Sequence, residues 1–170
     1  MTHTFRNDCP DTFISVVREV GQGLTEAGDT LWEVDTLTAE NLFDEHTRHN
    51  SYVLFVAPTG QNGPPVPAGT FMLQWASPIY FPDVPPHTAG FIHKLAIRRA
   101  FAGQGLFQPI LDFCRTECLR RGIHELQLET DATRPALMRF YERHGFTPTF
   151  QRTNHEFGQT FTCQYYVLRF

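Results

Sequence analysis

The chain has little of what marks several common protein classes. Its 170 residues carry only 19% charged side chains and a formal net charge of -4 at pH 7. There is therefore no basic face to neutralise a phosphate backbone, and nucleic-acid binding is not expected. No apolar run approaches the length needed to cross a bilayer, and no membrane partner is expected. The opening Met-Thr-His-Thr-Phe-Arg lacks the charged-then-apolar order of a signal peptide, so a cytoplasmic location is the expectation. Cys9, Cys114, Cys118 and Cys163 are too scattered for a disulfide framework. Cys114 and Cys118 stand four apart, but no second C-x-x-C or H-x-x-H cluster completes a tetrahedral site. They read as buried thiols, and no metal is expected. Repeats and low-complexity tracts are absent too. With 41% hydrophobic residues the chain can bury one good core and is short for two, so residues 1–170 are expected to form a single domain.

What is there centres on residues 91–122. Phe91 to Ile97 is apolar and β-branched enough for a buried strand, and Gly103 and Gly105 permit a sharp turn after it. From Leu106 the apolar positions Leu106, Ile110, Leu111, Phe113, Cys114 and Leu119 recur at helical spacing up to Gly122. Amides at the start of such a helix have no internal partners, and with the helix dipole they favour an anion such as a pyrophosphate. The dinucleotide fingerprint G-x-G-x-x-G is incomplete, because Gln108 stands where the third glycine belongs. The G-K-[ST] of a nucleotide triphosphatase loop is absent.

The remaining elements are read from periodicity and punctuation. Thr4 to Arg6 reads as a short strand, Asp11 to Ala27 as a helix capped by Asp11, and Thr38 to His49 as a helix capped by Thr38. Ser51 to Ala57 and Ala68 to Trp75 are strands joined by the glycine- and proline-rich loop 58–67. Ser77 to Gly90 is a long loop whose aromatic residues Tyr80 and Phe81, with Trp75, are candidates to wall a pocket. Glu125 to Thr130 is a strand and Arg134 to His144 a helix ended by Gly145. Phe146 to Glu156 and Thr160 to Arg169 form an antiparallel pair around Phe157-Gly158-Gln159.

Leu95-Ala-Ile97 and Ala102-Gly-Gln-Gly-Leu-Phe107, followed by Arg134-Pro-Ala-Leu-Met-Arg-Phe-Tyr-Glu-Arg-His-Gly-Phe146, resemble the paired motifs of the GNAT superfamily of acetyl-CoA-dependent N-acyltransferases. The resemblance in motif covers about residues 91–150. It implies an α/β fold with a mixed, mostly antiparallel central sheet flanked by helices, in the order β-α-α-β-β-β-α-β-α-β-β. It further implies that acetyl-CoA sets its pyrophosphate on the amides of Ala102, Gly103, Gln104, Gly105, Leu106 and Phe107. The pantetheine arm would run along the backbone of Leu95, Ala96 and Ile97. Three positions depart from the family pattern. Ala102 replaces an Arg or Gln, Phe107 a small residue and Arg134 an Asn, which leaves Arg98, Arg99 or Arg134 to supply positive charge near the phosphates.

The implied reaction is attack of an amine on a thioester. Tyr141 occupies the position of the family's tyrosine acid, and a neutral phenol is available at pH 7. The family's carboxylate base is missing from the strand before Leu95, and His93 stands on that face instead. An imidazole is mostly neutral at pH 7, so His93 is the candidate base, with Glu129 and Asp131 as alternative bases or amine anchors. The expected acceptor is a small-molecule or peptide amine, bound near Trp75, Tyr80, Glu129 and Asp131. The altered loop leaves room for an alternative, a sensor that holds acyl-CoA and transfers nothing. The C-terminal strands also leave open a homodimer.

Overall fold

The computed structural model describes residues 2–57, 63–156 and 158–170. Seven strands form one sheet in the order β1-β2-β3-β4-β5-β7-β6. They are β1 (Thr2–Arg6), β2 (Ser51–Ala57), β3 (Val66–Gln74), β4 (Gly90–Ile97), β5 (Glu125–Asp131), β6 (Thr147–Glu156) and β7 (Gln159–Arg169). Neighbours run antiparallel for β1 with β2, β2 with β3, β5 with β7 and β6 with β7, while β4 and β5 run parallel. The helices are α1 (Pro10–Glu26), α2 (Ala39–Leu42), α3 (Phe107–Leu119) and α4 (Pro135–Arg143). This is the expected element order and the expected mixed, mostly antiparallel sheet.

The chain divides into two compact units, residues 1–73 with 94–110 and residues 74–93 with 111–170. In the first, Phe13 and Val17 of α1 pack with Leu37, Leu42, Val53 and Met72. In the second, Phe81, Ala89, Phe91, Cys163 and Tyr165 form a buried cluster. On α3 the buried positions are Phe107, Ile110, Leu111, Cys114 and Cys118, a stripe at helical spacing. Both thiols of that stripe are fully covered, and no group of metal-binding side chains occurs among the described residues. No helix there is long and apolar enough to cross a membrane.

Several boundaries differ from the sequence expectation, each for a local reason. The first strand begins at Thr2 rather than Thr4, because Thr2 and His3 also pair, with Ala57 and Val56. Helix α1 starts one residue earlier than Asp11, with Cys9 at the cap position and Pro10, whose ring fixes a helical φ, in its first turn. Asp11 does not cap. It lies in the first turn, where the helix dipole favours an acidic side chain. The second helix is only one turn long, although Thr38 does cap it through the Asn41 amide. It stops because Phe43 is extended and Asp44 draws the amides of His46 and Thr47 and the Thr47 hydroxyl onto one carboxylate oxygen. Those bonds hold the Asp44 carboxyl below the usual carboxylate range.

Strand β3 begins at Val66, earlier than expected. Pro67 is tolerated opposite Phe55, where the β2–β3 register shifts. The expected loop 58–67 is thus confined to its first part, of which residues 58–62 lie outside the described residues, as does Phe157 of the last hairpin turn. Lys94, the only lysine of the chain, interrupts β4 with a φ of 48°. A side chain rarely adopts that backbone conformation within a strand, and it follows His93 directly.

Candidate active site

The turn that leaves β4 is built as expected for its glycines. Gly103 and Gly105 take φ of 75° and 72°, and a Cβ at either would meet nothing within 4 Å. The Gln104 amide bonds back to Phe101 and the Gln108 amide to Gly105. The amides of Gly103, Gly105 and Leu106 donate no hydrogen bond among the described residues. Leu106 and Phe107 are buried. The phenyl ring of Phe107, which stands where the family pattern has a small residue, goes into the core.

The arginines expected to supply positive charge to the phosphates are largely committed. Arg98 binds the Glu19 carboxylate and the Pro67 carbonyl. Arg134 precedes α4 with its Nε 3.5 Å from Asp131 Oδ2. Asp131 Oδ1 also accepts from the amide and hydroxyl of Thr133, so this carboxylate organises the turn into α4. Arg99 is exposed and has no acidic partner among the described residues.

The acid and base candidates lie together in the second unit. His93 Nδ1 is 3.7 Å from Glu129 Oε1, and both side chains are mostly buried. The other ring nitrogen, Nε2, is 3.0 Å from the hydroxyl of Ser77. Tyr80 and Phe81 pack against the imidazole, with ring centroids 5.5 Å and 6.2 Å away. Tyr141 is buried on α4 among Phe140, Phe146 and Tyr166. Burial holds its phenol well above the usual tyrosine range, and the nearby charge of Glu129 pushes the same way, followed by Tyr166. Tyr141 and His93 thus share one carboxylate neighbour, Glu129.

A family model described as the acetyltransferase (GNAT) family matches residues 19–146, which span the glycine turn, His93, Glu129 and Tyr141. This chain belongs to that family. No curated protein matches it in sequence. Solved structures that resemble it share the GNAT fold at low identity. A GNAT-family acetyltransferase from Listeria monocytogenes superposes with a TM-score of 0.71 at 15% identity, covering 99% of this chain and 95% of that one. Arabidopsis thaliana NAA60, solved with a bisubstrate analogue, gives 0.63 at 14%, covering 99% of each. A GNAT-family acetyltransferase from Elizabethkingia anophelis with acetyl-CoA bound gives 0.51 at 14%, over 71% of this chain and 75% of that one.

Within this GNAT chain the expected acceptor residues do not all converge. Tyr80 and Glu129 adjoin His93. Trp75 does not, because its ring lies 4.1 Å from the Arg121 guanidinium and its carbonyl accepts from the His87 amide. Phe81, in contact with His93, also lines a cleft of about 160 Å³ with Asp83, Val84, Gln127, Phe150 and Arg152. Ser77 was not anticipated. It looked like the first residue of a loop, and only the return of that loop over β4 sets its hydroxyl against His93.

Proposed function

We propose that the protein transfers an acetyl group from acetyl-CoA to a primary amine of a small molecule or peptide by direct attack on the thioester. The supporting observation is the turn of residues 102–107, with three amides that donate no hydrogen bond among the described residues, at the start of the thirteen-residue α3. Outward amides at a helix start suit a pyrophosphate, and the empty space over both glycines lets it approach. The Elizabethkingia relative, solved with acetyl-CoA, supports the donor, and NAA60 with its bisubstrate analogue supports transfer onto a second substrate. The Leu95–Ile97 backbone is then the track for the pantetheine arm. The parallel ladder of β4 with β5 is short, pairing Gly90 with Leu126 and Phe91 with Gln127 at the start of the strand and none of Leu95–Ile97.

Acetyl-CoA supplies an activated acyl carbon. A backbone amide near Ile97 steadies the thioester oxygen as negative charge builds on it. The basic side removes a proton from the incoming ammonium, a task that falls to His93 with Glu129 beside it. Tyr141, kept neutral by burial, donates its hydroxyl proton to the departing thiolate. The test is a panel of small-molecule amines and amino-terminal peptides incubated with purified protein and acetyl-CoA, reading release of CoA thiol. Acceptor-dependent release is expected. Saturable acetyl-CoA binding without any such release would favour the sensor alternative.

The donor site has its own test. Valine at position 105 would have to take a φ of 72°, which a β-branched residue adopts only under strain, so the turn must shift and its amides with it. Gly105→Val is expected to weaken CoA binding roughly tenfold or more in calorimetry, with an unchanged circular dichroism spectrum. Parental affinity in the folded variant would remove the phosphates from this turn.

A further inference from the structure

Both ring nitrogens of His93 are covered, Nε2 by Ser77 and Nδ1 by Glu129. An ammonium group therefore does not reach the imidazole directly, and its proton must pass through a neighbour. Ser77 is buried, whereas the Glu129 side chain is 14% exposed, so Glu129 is the more accessible of the two. The spacing also indicates where the ring carries its hydrogen. A protonated Nδ1 facing an ionised carboxylate would close to the short range of charge-assisted bonds, about 2.7–2.9 Å. At 3.7 Å Nδ1 makes no hydrogen bond to Glu129, whereas the 3.0 Å contact lets Nε2–H donate to the Ser77 hydroxyl oxygen, the tautomer that leaves Nδ1 free to take a proton.

Resting on the acetyltransferase reading above, we propose that Ser77, His93 and Glu129 form one proton-accepting unit. In it Glu129 receives the acceptor's ammonium and His93, oriented by Ser77, stores the released proton on Nδ1. The N–H bond of the ammonium breaks and its electron pair stays on the nitrogen, which becomes the nucleophile. The proton passes by way of the carboxylate to Nδ1, and the imidazolium then lies between an anion and a hydroxyl oxygen that accepts its second N–H. Ser77 is a positioning residue, because it acts through His93. Tyr80 and Phe81, from the same loop as Ser77, pack against the ring, while Tyr141 of α4 and Tyr165 of β7 feel the Glu129 charge. Burial raises the phenols of Tyr141 and Tyr165 above the usual tyrosine range.

Ring-nitrogen NMR of His93 tests the arrangement without turnover. The neutral ring is expected to carry its hydrogen on Nε2 in the parent and in Ser77→Thr, and to lose that preference in Ser77→Ala. With a good amine acceptor, kcat/KM should fall about 10²-fold or more in Glu129→Gln and about tenfold in Ser77→Ala, with recovery in Ser77→Thr. The acid limb of the pH profile should follow the ring titration in each variant. A neutral ring protonated on Nδ1, an acid limb that ignores the ring titration, or an acetyl adduct on Ser77 by mass spectrometry would overturn the proposal. Parental kcat/KM in Ser77→Ala and Glu129→Gln would overturn it while leaving the acetyltransferase reading intact. Failure of the parent to acetylate any amine would remove that reading itself.

Discussion

Tyr141→Phe is expected to lower kcat by about 10²–10⁴-fold while leaving fold and CoA affinity near parental values. The ring stays in its aromatic setting of Phe140, Phe146 and Tyr166, and only the hydroxyl is lost. Single-turnover acetylation of a good amine is the measurement, so that slow product release does not hide the chemical step. Parental rates there would mean that water or another group protonates the thiolate. The raised phenol also fixes the sign of two pH effects. Its proton stays on up to and beyond about pH 10, so no alkaline loss of rate at lower pH belongs to Tyr141. Because the folded value lies above the unfolded one, the associated stability is fully present below about pH 10 and is lost as pH rises towards the folded value. Tyr141→Phe should flatten that alkaline loss in chemical unfolding curves.

Gly69→Val should destabilise the fold by about 1–3 kcal/mol or more, visible as a lower melting temperature and an earlier urea midpoint. A Cβ at this β3 position would lie 2.6 Å from the Ala96 carbonyl oxygen and 2.6 Å from Ile97 Cδ1. The side-chain atom can swing aside, but the carbonyl belongs to β4 and cannot move without the strand. Gly23→Ala, in α1 where nothing lies within 4 Å, is the control and should be neutral or slightly stabilising. Since Ala96 and Ile97 carry the proposed pantetheine track, folded Gly69→Val should also bind CoA more weakly. Parental stability of Gly69→Val would show that β3 and β4 tolerate a wider spacing.

Elements with one dominant signal were the legible ones. Ser51–Ala57 is a strand with a polar cap residue and a proline after it, and α3 has a buried stripe at strict helical spacing. The stretch after Thr38 misled because its composition permits a helix. What stops it is one carboxylate, Asp44, gathering neighbouring amides, a local competition that periodicity does not register. Pro67 misled in the other direction, since a proline in a run reads as loop unless a register shift excuses its missing N–H. The placement of Gly103 and Gly105 in a turn and of Tyr141 on a helix was legible, because each follows from spacing along one element. The candidate site was illegible where partners meet through space. No feature of the sequence announces that Ser77 reaches His93, that Arg134 turns to Asp131, or that Trp75 takes Arg121 rather than a substrate.

The buried thiols make the fold report on itself. Cys114, Cys118 and Cys163 are shut inside and Cys9 is half-covered. Burial raises the Cys9 and Cys114 thiols and pushes Cys118 up to about 12. Near pH 8 a thiol-specific dye, which needs a thiolate, therefore finds almost nothing in the native protein and four reactive groups once the chain is unfolded. The dye that counts released CoA during acetyl transfer thus runs against a nearly silent background. Before substrate is added, in native buffer, the same dye reacts fully only with unfolded molecules, so a variant that has lost chemistry is told apart at once from one that has lost structure.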